Sequence, residues 1–121
     1  MREYDAQATL GVGERLTFVD RCRWDGRLYD LGRFPGAAPG AGTVHGELFR
    51  VHTSSVWPVL DHYEGYDPDD EARSLFVRRQ VSLRRPEGQT AWVYWYHGER
   101  GDAPRVPSGD WAAYRSDRPS P

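Results

Sequence analysis

Residues 43–51, TVHGELFRV, and residues 53–65, TSSVWPVLDHYEG, lie next to each other with different hydrophobic periods, and that change decides the fold class. In the first, Val44, Gly46 and Leu48 alternate with His45, Glu47 and Phe49, the two-residue period of a strand with one face buried and the other partly so. In the second, Val56, Val59, Leu60 and Tyr63 recur at helical spacing. Thr53, Ser54 or Ser55 can cap its start, Pro58 falls in the first turn where it is tolerated, and Gly65 stops the helix. Upstream, residues 16–31 (LTFVDRCRWDGRLYDL) mix aromatic and branched residues in short alternating runs, which predicts one or two strands. Residues 32–36 (GRFPG) and 37–43 (AAPGAGT) read as a loop, with Gly and Pro supplying the turn geometry. Beyond the acidic loop DPDDEA, residues 75–83 and 90–96 alternate again and are joined by RRPEGQ, the pattern of a β-hairpin.

The order β-β-β-α-β-β indicates an α+β domain dominated by a mostly antiparallel sheet or small barrel with short flanking helices. The chain of 121 residues leaves no room for two independent cores, so residues 1–121 are expected to form a single domain. In the tail, Trp111 to Tyr114 are expected to form one helical turn, with Trp111 filling a surface groove, and residues 115–121 read as a disordered end.

Composition excludes several classes of function. No run of about 20 apolar residues suits a membrane helix and no signal pattern opens the chain, so a cytoplasmic protein without membrane partners is expected. Cys22 stands alone and the four histidines show no zinc-ligand spacing, so no metal site and no cofactor are expected. All 16 basic residues are Arg, and Lys, Ile and Asn are absent, as in proteins of GC-rich bacterial genomes. The arginines are therefore ordinary surface residues. With 18 acids against 16 bases and no basic stripe, nucleic acid is not an expected partner. Dinucleotide-binding, phosphate-loop, serine-hydrolase and zinc-protease motifs are all missing.

What remains is an ordered series: residues 26–36 (GRLYDLGRFPG), 44–49 (VHGELF), 60–66 (LDHYEGY), 76–81 (FVRRQV), 91–94 (AWVY) and 108–111 (SGDW). Six short pieces in this order, covering about Val19 to Tyr114, resemble the γ-glutamylcyclotransferase-like family, which includes the AIG2-like proteins. The resemblance implies a small mixed β-barrel with flanking helices, no cofactor, and a small-molecule partner, a γ-glutamyl amine or related amide. It implies that Glu64, in the LDxxEG-type segment, is the catalytic acid. The α-amine of a γ-glutamyl group would attack its own γ-carbonyl and expel the amine, leaving 5-oxoproline. Chemically, the α-ammonium must first lose a proton and the leaving nitrogen must gain one, and a single placed carboxyl can do both. Sheltering raises such a carboxyl from its reference of roughly 4.3 toward neutrality, which suits a proton shuttle.

Around Glu64, the loop of Gly32, Phe34, Pro35 and Gly36 is a candidate for presenting backbone amides to substrate. Phe76 and Tyr94 are candidates for the pocket wall, Phe76 by packing, since family members often carry Tyr there. Glu47 is a rival acid, and Asp61 is expected to serve a structural bond. The family's N-terminal Tyr-Gly-Ser/Thr-Leu loop finds no match in MREYDAQATL beyond a remnant in Gln7 to Leu10. A late start site, a truncated chain or a member that has lost the loop would each explain this. An edge left unpaired by a missing strand would be covered by a second copy, so a homodimer is the expectation attached to the shortened reading. The alternative function is a non-catalytic small-molecule-binding or protein-interaction module on the same fold.

Overall fold

The computed structural model describes residues 16–32 and 34–117. The atypical residues 1–15, the remnant Gln7 to Leu10 and the end of the tail lie outside them. Two long strands, β1 (Leu16–Asp30) and β2 (Pro35–Val51), form an antiparallel hairpin whose register runs from Leu16 opposite Val51 to Asp30 opposite Pro35. Register shifts at Phe18/Asp20 and Asp25/Arg27 bend it. The turn is short: the Leu31 N–H donates to the Phe34 carbonyl at 3.1 Å, and the Gly32 N–H donates to the Asp30 carboxylate at 2.8 Å.

The segment expected as a loop from Gly32 to Thr43 is therefore mostly strand. Only the turn before Pro35 breaks the hairpin. Its small residues have a steric purpose: a Cβ on Gly36 would lie 2.6 Å from the Leu31 side chain and 3.0 Å from that of Tyr96. Large side chains lie across this end of β2, so glycine there reports a close approach rather than a change of chain direction.

Helix α1 (Val56–Glu64) follows, with Ser55 at its N-cap position but no side-chain capping bond. Gly65 closes it in the left-handed conformation (φ 69°), its N–H directed to the carbonyls of Asp61 and His62. A 3-10 turn (Glu71–Arg73) leads to the expected hairpin of β3 (Phe76–Ser82) and β4 (Thr90–Tyr96), paired from Phe76 opposite Tyr96 to Ser82 opposite Thr90. A two-residue strand β5 (Arg105–Val106), which the tail's composition did not predict, adds to β1 at Leu28 and Tyr29. Helix α2 (Trp111–Asp117) extends the expected single turn into part of the segment read as disordered.

The mixed α+β class and the antiparallel pairing are as expected, but the barrel does not close. Among the described residues there are two sheets, β2-β1-β5 and β3-β4. Alternation in the second hairpin sends Val77 and Trp95 into a core with Leu28, Val44, Val106 and Trp111. Trp111 belongs to that core, not to a surface groove, and Tyr114 ties α2 down by donating from its hydroxyl to Asp30 at 2.9 Å. A smaller cluster, Leu16 with Val56, packs the start of α1 against the open end of the first hairpin.

Two predictions follow from these contacts. Gly109 has φ 67°, and a Cβ there would fall on the Thr43 carbonyl oxygen, while its own carbonyl accepts from the His45 N–H at 2.8 Å. Backbone strain plus this collision should make Gly109→Ala cost about 3 kcal/mol or more in urea unfolding. Glu71 accepts two bonds from Arg79, at 2.8 and 2.9 Å, and one from the Tyr66 hydroxyl at 2.7 Å. The Arg79 bonds chiefly, then that of Tyr66, hold its carboxyl down to about 2 from the ordinary 4.5. A depressed carboxyl stabilises above its unfolded value and loses that contribution as pH falls. Wild type should thus melt above Glu71→Gln at pH 7, with the difference closing between pH 4.5 and 2 and shrinking with added salt.

Candidate functional site

On one face of α1, Trp57, Leu60 and Glu64 recur at i, i+3 and i+7, and all three line a cavity of about 820 Å³. The rest of its wall comes from the β1–β2 hairpin, from β3 and β4 with Leu83 beyond them, and from Asp110, Trp111 and Ala112 at the start of α2. The volume is ample for a small organic molecule. Glu64, in the last turn of the helix and half-buried, brings a carboxyl to a surface that is otherwise largely apolar.

The orientation of that helix is set from behind. Asp61, three residues before Glu64 and 6% exposed, accepts from Arg78 Nε at 3.0 Å and Nη2 at 3.2 Å, a bidentate pair. The Tyr94 hydroxyl donates to the same carboxylate at 2.5 Å. Arg78 and Tyr94 face each other across the β3–β4 register, so one carboxylate on α1 grips both strands. The Arg78 guanidinium also lies 4.3 Å from the centre of the Trp57 ring and 5.4 Å from that of Trp92. Burial first, then the bond to Asp61, pushes the Tyr94 phenol far above its ordinary value, with a smaller contribution from the charge of Glu64. Tyr94 therefore remains a protonated donor committed to Asp61.

The candidates from sequence separate into groups. Glu64, Pro35, Phe76 and Tyr94 meet on the cavity wall, as does the rival acid Glu47, on an exposed position of β2. Phe34 is not part of that wall but stacks at a tilt against Phe76, with ring centroids 6.1 Å apart. Gly32 sits in the hairpin turn and Gly36 is packed beneath Tyr96, so these two shape the strand end rather than the wall. Asp61 makes the structural bond expected of it. Arg78, Trp57 and Trp92 were missed. The register that pairs Arg78 with Tyr94, and Gln80 with Trp92, places Arg78 and Trp92 on the face turned toward α1, where they meet Trp57 of the helix.

Comparison with known proteins places the chain in a family. The family model described as "Gamma-glutamyl cyclotransferase, AIG2-like" matches residues 1–113. The chain belongs to this family. Escherichia coli K12 "Gamma-glutamylcyclotransferase family protein YtfP" is 36% identical over 85 residues, which are 70% of this chain and 66% of that protein. The chain thus spans just under two thirds of the length of this relative. A Citrobacter rodentium protein of the same name is 35% identical over 85 residues, with the same coverage. The solution structure of Escherichia coli YtfP superposes with a TM-score of 0.68 at 26% identity, covering 90% of this chain and 88% of that one. The crystal structure of the uncharacterized protein PH0828 from Pyrococcus horikoshii shares the fold, with a TM-score of 0.64 at 15% identity over 90% of this chain and 82% of that one. The family model takes in the whole of the cavity-bearing α1 and the strands that hold it. Among the described residues, no helix is long and apolar enough to cross a membrane.

Removing one partner of a buried ion pair strands the other charge. Arg78→Leu should therefore destabilise the protein by about 3 kcal/mol in urea unfolding, and the double variant Asp61→Leu, Arg78→Leu should regain at least half of that loss. An additive double variant would mean that the pair contributes no coupling.

Proposed function

We propose that this γ-glutamyl cyclotransferase family member is an enzyme that cleaves γ-glutamyl amides by internal acyl transfer, with Glu64 as its proton shuttle. The observation that carries this reading is the half-buried carboxyl of Glu64, in the LDHYEG segment, on the wall of a largely apolar cavity. The substrate's α-ammonium gives a proton to Glu64, and the freed nitrogen attacks the γ-carbonyl. A C–N bond forms, closing a five-membered ring. The resulting tetrahedral centre collapses as its amide C–N bond breaks and Glu64 returns the first proton to the departing nitrogen; the freed carboxylate then relays the surplus proton still on the ring nitrogen to the same amine. The products are 5-oxoproline and the amine as its ammonium ion, with no water consumed and no net proton change at the enzyme.

Two features of the wall support this chemistry. Tyr94, locked to Asp61, makes a fixed flank that cannot exchange protons at physiological pH, so proton traffic is left to Glu64. Apolar surroundings strengthen charge interactions with the substrate and hold its extended chain folded, amine over carbonyl. General acid–base catalysis by one placed group is worth about 10²–10⁴-fold in rate.

Incubation with a panel of γ-glutamyl amides, read by mass spectrometry for 5-oxoproline, tests the proposal. Glu64→Gln should cut kcat at least a hundredfold with an unchanged circular dichroism spectrum. Saturable binding without any 5-oxoproline would instead favour a non-catalytic binding module, and turnover that survives Glu64→Gln would remove that residue from the reaction.

A further inference from the structure

The cavity carries more aromatic surface than a γ-glutamyl group needs. Trp92 is 50% exposed and Phe18 51% exposed, and both line the cavity. Each belongs to an edge-to-face pair: Trp92 with Trp57 at 6.4 Å between centroids, Phe18 with Phe49 at 5.8 Å. Large rings left half in water within a concave surface gain roughly 25 cal/mol for each Å² that a ligand covers.

An aromatic wall can receive either an apolar group or a cation, and here the electrostatics distinguish them. The Arg78 guanidinium already lies over Trp57 and close to Trp92, so the attraction of these rings for positive charge is engaged. A second cation on them would meet the field of the first. The carboxylate paired with that guanidinium gives no help, because both oxygens of Asp61 are held by Arg78 and one also by Tyr94. Of the remaining acids on the wall, Glu64 is assigned to proton transfer, Asp110 faces Arg21 at 3.8 Å, and Glu47 lies exposed on β2.

We propose that the Trp57–Trp92 wall receives the leaving-amine half of the substrate and selects γ-glutamyl amides of uncharged aromatic or branched aliphatic amines over those whose amine portion carries a second positive charge. This rests on the cyclotransferase reading above. It adds to that reading a specificity set by the guanidinium already beside both indoles. Glu64 supplies the chemistry, and the indoles supply the discrimination.

The experiment compares kcat/KM for 5-oxoproline release by the full chain from three compounds: γ-glutamyl-phenethylamide, γ-glutamyl-isoamylamide, and the mono-γ-glutamyl amide of 1,4-diaminobutane. The first two should exceed the third by at least tenfold. Trp92→Ala should bring that ratio to within about threefold, chiefly by raising KM for the phenethylamide. Arg78→Met with Asp61→Leu, which clears the cation without stranding a charge, should improve the diamine substrate relative to the other two. Equal or better turnover of the diamine amide by wild type would overturn the selectivity while leaving the cyclotransferase reading intact. No 5-oxoproline from any of the three, nor from a wider γ-glutamyl panel, would overturn both.

Discussion

One buried carboxylate organises the candidate site. Asp61 binds Arg78 of β3 through two nitrogens and Tyr94 of β4 through its hydroxyl, and in doing so fixes α1 against the second hairpin. Among the described residues the two sheets share no continuous ladder; an isolated bridge between Arg23 and Arg85 and the packing of Trp95 and Val77 join them. The placement of Glu64 thus follows from a side-chain lock one helical turn away. A buried network of this kind is geometrically demanding, because both carboxylate oxygens of Asp61 must meet protein donors from two strands at once.

The two faces of the second hairpin divide the labour. Val77 and Trp95 point to the core and bind the hairpin to β1 and β2, whereas Arg78, Tyr94 and Trp92 stand on the face that meets α1. The residue that neutralises Asp61 also occupies the indoles of the wall, so a structural ion pair and a recognition surface share one guanidinium.

How much of this was legible in the sequence depended on the physics of each segment. Helix α1, its end at Gly65 and the β3–β4 hairpin were plain, because hydrophobic period and turn chemistry are local properties. The start of β2 was not: Gly36, Ala37 and Ala38 suggested a loop, yet Gly36 is small because the Tyr96 side chain lies against that strand end, a contact between residues distant in sequence. Arg78 was hidden for a related reason. A charged residue in an alternating strand normally marks the solvent face, and only the approach of α1 turns that face inward. Glu64 is a candidate only through its family context, since its immediate neighbours by themselves favour an exposed helix end. The open arrangement of two sheets, in place of a closed barrel, depends on pairings between strands that no local pattern encodes.

The most direct measurement is a crystal structure of the Glu64→Gln variant soaked with γ-glutamyl-phenethylamide. The α-nitrogen of the ligand should lie within hydrogen-bond reach of the residue 64 carboxamide, with the phenyl ring against Trp57 and Trp92. A ligand bound away from α1, or residue 64 turned to bulk water beside an occupied cavity, would contradict this placement.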